Sequence, residues 1–177
     1  MMDEAKEVYQ KLIEEFTYGQ CWDNGGWFWK PSEAAREKLA IIDSGSELDF
    51  GNGTSEALTK KAWGALASDD LKAVEIYTNK CIDTYGEKAR EMQNSLTEYV
   101  WESNDAIFSY WALNDVGTCL FIKGEAYRKA EQVDLAKAAY QKLIDDYSFA
   151  QCWDPKGWFW KPAEAAMQKM VEIEENL

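Results

Sequence analysis

The chain repeats itself. Residues 9–39 read YQKLIEEFTYGQCWDNGGWFWKPSEAAREKL and residues 140–170 read YQKLIDDYSFAQCWDPKGWFWKPAEAAMQKM. The match is ungapped at an offset of 131, with 19 of 31 positions identical. Most other positions are mild exchanges, such as Glu14 for Asp145 and Phe16 for Tyr147. A duplication of this length constrains architecture more than composition does, because both copies must suit one local fold. The 177 residues therefore divide into a partial unit, 1–45, and a complete unit, 46–177. The partial unit holds one amphipathic helix, a Trp-rich loop and a further helix.

Apolar spacing predicts an all-α chain. Leu120, Gly124 and Tyr127 share one face, and Ala136, Tyr140, Leu143, Ile144 and Tyr147 share another. The polar break Glu131-Gln132-Val133-Asp134 between them predicts a helical hairpin over 116–147. Leu58, Ala62, Trp63 and Leu66, then Ser68-Asp69-Asp70, then Ala73 and Tyr77, predict a second one. Pro31 and Pro162 suit first helical positions, with Glu33 and Glu164 near the positive end of the dipole. They predict helices over 31–43 and 162–175. Gly86 is expected to interrupt the helix that starts at Leu71, with a further helix over 87–98. Residues 44–54, with Gly45, Gly51 and Gly53, read as a flexible linker.

The order Leu120, Gly124, Tyr127, Ala136, Tyr140 resembles the tetratricopeptide repeat. Ala73 and Tyr77 fit the same second-helix positions, and so do Ala5 and Tyr9 in the partial unit. Lys123, Leu143 and Ser148 depart from the family's pattern. The resemblance implies helical hairpins stacked as a solenoid, with a groove for a peptide or a partner helix. The groove walls would be the first helices, about 56–67 and 115–130, and Lys123 and Arg128 are candidates facing it. The family's basic clamp for acidic peptides is not matched.

Charge and residue types exclude other functions. The net charge is −13, which argues against nucleic acid, since a binder needs a cationic face. It disfavours an anionic membrane surface too, and no apolar run is long enough to span a bilayer. Histidine is absent, which removes the commonest general base and metal ligand. There is no Gly-rich phosphate loop and no dinucleotide fingerprint. Neighbouring carboxylates such as Glu14-Glu15, Asp69-Asp70 and Asp145-Asp146 do not face each other on a helix. The expectation is a protein that is not an enzyme and carries no cofactor. Cys21, Cys81, Cys119 and Cys152 form no CxxC pair and read as buried free thiols. The polar start, Met1 to Glu7, lacks a secretory pattern. The chain as it stands reads as cytoplasmic, or as the mature piece of an exported protein.

The motif QCWDxxGWFWKP, at 20–31 and 151–162, carries the most information. Trp27 and Trp29, and likewise Trp158 and Trp160, are two apart in an extended stretch, so each pair points one way. The first reading is structural: indoles plug seams between helices, and Trp22 and Trp153 are buried at helix ends. The alternative is a carbohydrate-binding platform, with flat indoles stacking on sugar rings and Asp23 and Asp154 among the polar neighbours. Calcium is rejected, because the second copy places Pro155-Lys156 where a ligand would stand. A protein or peptide is the expected partner. The helix at 2–18 lacks the neighbour that 115–130 supplies to its copy, so Ala5, Tyr9, Leu12 and Phe16 need a surface. Self-association into a homo-oligomer is the favoured solution.

Overall fold

Helices account for nearly all of the regular structure. The computed structural model describes residues 2–22, 28–44 and 48–175. The chain forms two compact units, Met1–Asp49 and Phe50–Leu177. The first holds α1 (Met2–Glu15), β1 (Cys21–Trp22), β2 (Phe28–Trp29) and α2 (Pro31–Ser44). The second holds α3 (Ser55–Ala67), α4 (Leu71–Asn94), α5 (Asn104–Ser109) and α6 (Trp111–Lys129). It continues with α7 (Val133–Asp146), β3 (Cys152–Asp154), β4 (Trp158–Trp160) and α8 (Pro162–Glu175).

The second unit is built around α6. Thirteen of its nineteen residues are buried, because α3, α4, α7 and α8 all pack on it. Two glycines on α6 make the closest approaches possible. A Cβ at Gly124 would lie 2.3 Å from the Tyr140 ring, and one at Gly117 would lie 2.5 Å from the Ala150 Cβ. Tyr140 and Leu143 of α7 are fully enclosed as a result.

Both hairpins turn in the same way. Asp69 and Glu131 take positive φ, 56° and 59°. The following N–H groups, of Asp70 and Gln132, reach back to the Ala65 and Tyr127 carbonyls. This is a Schellman-type helix end, which caps carbonyls that the helix leaves unpaired. Thr54 and Asp70 cap the N-termini of α3 and α4, accepting from the Ala57 and Ala73 amides.

Gly86 does not interrupt α4, which runs 24 residues. The glycine is buried against Tyr147, whose hydroxyl donates to the Gly86 carbonyl at 3.4 Å. It makes room for a ring rather than breaking the helix. The helix expected over 87–98 is thus the end of α4, and it stops at Asn94. The segment after it is held by side chains. Tyr99 Oη donates to the Ser148 carbonyl at 2.9 Å, and the Gln151 amide both accepts from and donates to the Val100 backbone. The short α5 carries no periodic sequence signal. Ser103 starts it by accepting from the Ala106 amide.

In the first unit α1 packs on α2. Ser32 Oγ donates to the Thr17 carbonyl at 3.1 Å, and Ser32 and Ala35 are buried. Of the cysteines, Cys81 and Cys119 are buried as expected. Cys152 is half-buried and Cys21 is exposed, because both open a hairpin strand at the surface.

Candidate functional site

The two Trp-rich loops are antiparallel hairpins in the same register. Cys21 faces Trp29 and Trp22 faces Phe28; Cys152 faces Trp160 and Trp153 faces Phe159. Alternation along β4 separates its rings. Phe159 meets Trp153 at 5.0 Å and Phe108 at 5.3 Å, while Trp160 meets Phe121 at 5.1 Å and Trp63 at 6.5 Å.

Trp22 and Trp153 are not buried. They are 61% and 41% exposed. Each lies on the first strand of a short two-stranded hairpin rather than ending a packed helix, and its indole stays partly in water. The Trp153 indole meets the rings of Phe159 and Phe108.

In the second unit the hairpin closes one side of a cleft of about 560 Å³. One helical stripe of α3, Glu56, Thr59, Lys60 and Trp63, forms one wall. One stripe of α6, Trp111, Asn114, Asp115 and Thr118, forms the floor. Spacings of three and four put each set on one face. Trp153 and Pro155 come from the hairpin, Phe108 from α5. An adjoining hollow is lined by Trp63, Phe121, Asp154 and Trp160.

Asp115 is the notable polar group. Ser55 Oγ donates to its carboxylate at 2.5 Å. Burial pushes its carboxyl up to about 6; the Ser55 hydrogen bond and Lys60 work against this, and Glu56 adds to it. The rim pair Lys60–Glu56, at 2.5 Å, is well exposed.

The residues singled out from sequence separate. Asp154 and Trp160 line the adjoining hollow. Trp158 is exposed on the hairpin, with Lys156 Nζ 5.9 Å from its ring centre. Trp29 is exposed in the first unit; Asp23 and Trp27 lie outside the described residues. Lys123 and Arg128 do not line the cleft. Lys123 turns to α4, donating to Asn79 Oδ1 at 2.7 Å, and burial lowers its pKa against the opposing pull of Glu75 and Asp83. Arg128 is held by Glu125 in a forked pair, at 3.1 and 2.8 Å. Burial would raise the Glu125 carboxyl, but hydrogen bonds from Arg128 and Tyr140 outweigh it and hold the group low. Sequence patterning did not single out Trp111 and Asp115, although the i, i+4, i+7 series Trp111, Asp115, Thr118 is visible in it.

Residues 118–149, from the middle of α6 through α7, match the family model of the tetratricopeptide repeat. This part of the chain is a tetratricopeptide-like helical repeat. No curated protein and no solved structure matches the chain. The α3–α4 hairpin shares the left-handed turn of the matched repeat, and α8 packs on both of the repeat's helices. Among the described residues no helix is long and apolar enough to cross a membrane.

Proposed function

We propose that the chain is a non-catalytic protein-interaction module. Its tetratricopeptide-like hairpins stack as a short solenoid, and the cleft between α3, α6 and the β3–β4 hairpin holds a segment of a partner. The observation that carries this reading is the repeat match over α6 and α7, since such repeats generally mediate protein contacts. The open aromatic cleft beside it adds support, because Trp is enriched where partners bind most tightly. Catalysis finds little to work with. The chain has no histidine, and the hydroxyl beside Asp115 belongs to Ser55, which is itself buried.

The test is selection of peptides from an unbiased library on the full chain. Selected peptides should bind with micromolar Kd. Trp63→Ala and Trp153→Ala should each weaken them tenfold or more, and Trp29→Ala in the first unit should not. Peptides indifferent to both cleft variants would overturn the reading. Glycan hydrolysis that disappears in Asp115→Asn would overturn its non-catalytic part.

Self-association is a second reading, favoured by α1. Val8 on α1 and Phe16 just after it are 59% and 55% exposed, although their copies Ala139 and Tyr147 are buried. Sedimentation of the full chain at tens of micromolar tests it, and a strict monomer ends it. The carbohydrate alternative predicts saturable Trp quenching by an oligosaccharide such as maltotriose.

A further inference from the structure

The polar groups of the cleft are unevenly committed. Asn114 Nδ2 donates to the Ile107 carbonyl and its Oδ1 accepts from the Gln151 amide. The Gln151 side chain is used at both ends by Val100. Thr59 Oγ1 donates to the Ser55 carbonyl and Thr118 Oγ1 to the Asn114 carbonyl. The lining side-chain amides and threonine hydroxyls are therefore engaged inside the protein. Lys60 and Glu56 neutralise each other at the rim.

Asp115 differs. It accepts one hydrogen bond, from Ser55, and makes no ion pair among the described residues, although a carboxylate has about four acceptor sites. The rings of Trp63, Trp111 and Trp153 line the same cavity. Aromatic faces carry negative potential and attract cations, indoles most strongly. We propose that this cleft receives an organic cation: the guanidinium or ammonium group of an arginyl or lysyl side chain on a partner peptide, held among these indoles and by the Asp115 carboxylate. The inference rests on reading the chain as a protein-interaction module.

Two further facts support it. The molecule already uses this chemistry internally: Lys161 Nζ lies 4.1 Å from the Tyr99 ring centre and 5.0 Å from that of Trp101. The charges also complement. Asp154 stands in the adjoining hollow, and the chain carries −13 overall, so a basic segment is drawn in and an acidic one repelled. An ionised carboxylate taken partly out of water is costly, and a bound cation would offset that cost.

The experiment titrates the full chain at constant ionic strength with acetyl-Gly-Arg-Gly-amide and with its citrulline counterpart, which has nearly the same shape and no charge. Indole N–H chemical shifts report the binding. The arginine peptide should saturate shifts at the cleft indoles and bind at least fivefold more tightly than the citrulline peptide. Asp115→Asn should reduce that ratio towards one. Equal binding of the two peptides, or a ratio unchanged in Asp115→Asn, would overturn the proposal. The citrulline comparison needs no variant, so it holds whether or not Asp115→Asn folds. Library peptides that bind at the cleft without preference for basic residues would overturn the cation site and leave the interaction reading intact. Saturable arginine binding with no library peptide at the cleft would support the cation site and overturn the interaction reading.

Discussion

Phe16 and Tyr147 hold the same place in the two copies of the duplicated segment, yet the first is 55% exposed and the second 1%. Val8 and its counterpart Ala139 differ in the same sense, at 59% and 7%. Tyr9 and Leu12 are half-buried where Tyr140 and Leu143 are enclosed. Their local structure is nearly the same: a helix, a hairpin in one register, and a helix starting at proline. Even the ion pair after the hairpin recurs, Lys30–Glu33 at 2.8 Å and Lys161–Glu164 at 2.7 Å. The difference is α6. It gives the second copy a partner whose Gly124 admits the Tyr140 ring, and the first unit contains no such helix among its described residues. Local sequence specifies the elements, and the neighbour decides which of their side chains leave water.

The largest effect should come from truncating the paired residues. Tyr147→Ala is expected to cost about 3–5 kcal/mol in urea unfolding of the full chain, as for other large buried aromatics. Phe16→Ala should cost less than about 1 kcal/mol, because little surface is removed from water. Equal losses would break the comparison, and would mean that Phe16 is covered in solution.

Asp115 sharpens it, since it stands on α6 and has no counterpart in the first copy. Its folded pKa, about 6, lies above the ordinary value of 3.8. The folded state therefore holds the proton more strongly. Its contribution is most favourable below pH 4, falls as pH rises to 6, and is lost above that. A rise of that size corresponds to at most about 3 kcal/mol. Asp115→Asn should accordingly raise stability at pH 7 by up to that amount and change it little at pH 4. A variant less stable at pH 7 would contradict the assignment. A carboxyl kept at such a cost fits a group retained for binding.

The next effect probes the close approach that only the second copy makes. Gly124→Ala should destabilise by about 1–3 kcal/mol, since the Tyr140 ring must move. That ring is anchored by its hydroxyl on Glu125. A neutral substitution would show that α6 and α7 are less tightly joined than this contact requires.

The smallest effect compares the two hairpin turns. Glu131→Gly should stabilise by about 0.5–1 kcal/mol, because a Cβ is disfavoured at positive φ. Asp69→Gly should gain less, since Asp69 also pairs with Lys129. Thermal melts of the two variants read the difference directly.

Much of the secondary structure was legible in the residues alone. Apolar spacing marked α6 and α7, the prolines marked α2 and α8, and the duplicated motif implied two equivalent loops. These features depend on residues a few positions apart, which the sequence displays. Three things depended on tertiary structure. Gly86 reads as a breaker until Tyr147, 61 residues away, is seen lying on it. Trp22 and Trp153 read as core residues until each is seen in a hairpin strand with its indole partly exposed. Lys123 and Arg128 read as groove residues, but α4 and Glu125 claim them. The cleft itself joins α3, α5, α6 and a hairpin drawn from roughly a hundred residues of chain. Periodicity tells which face of a helix is apolar; only the packed neighbours decide whether that face is closed, open to a partner, or left in water.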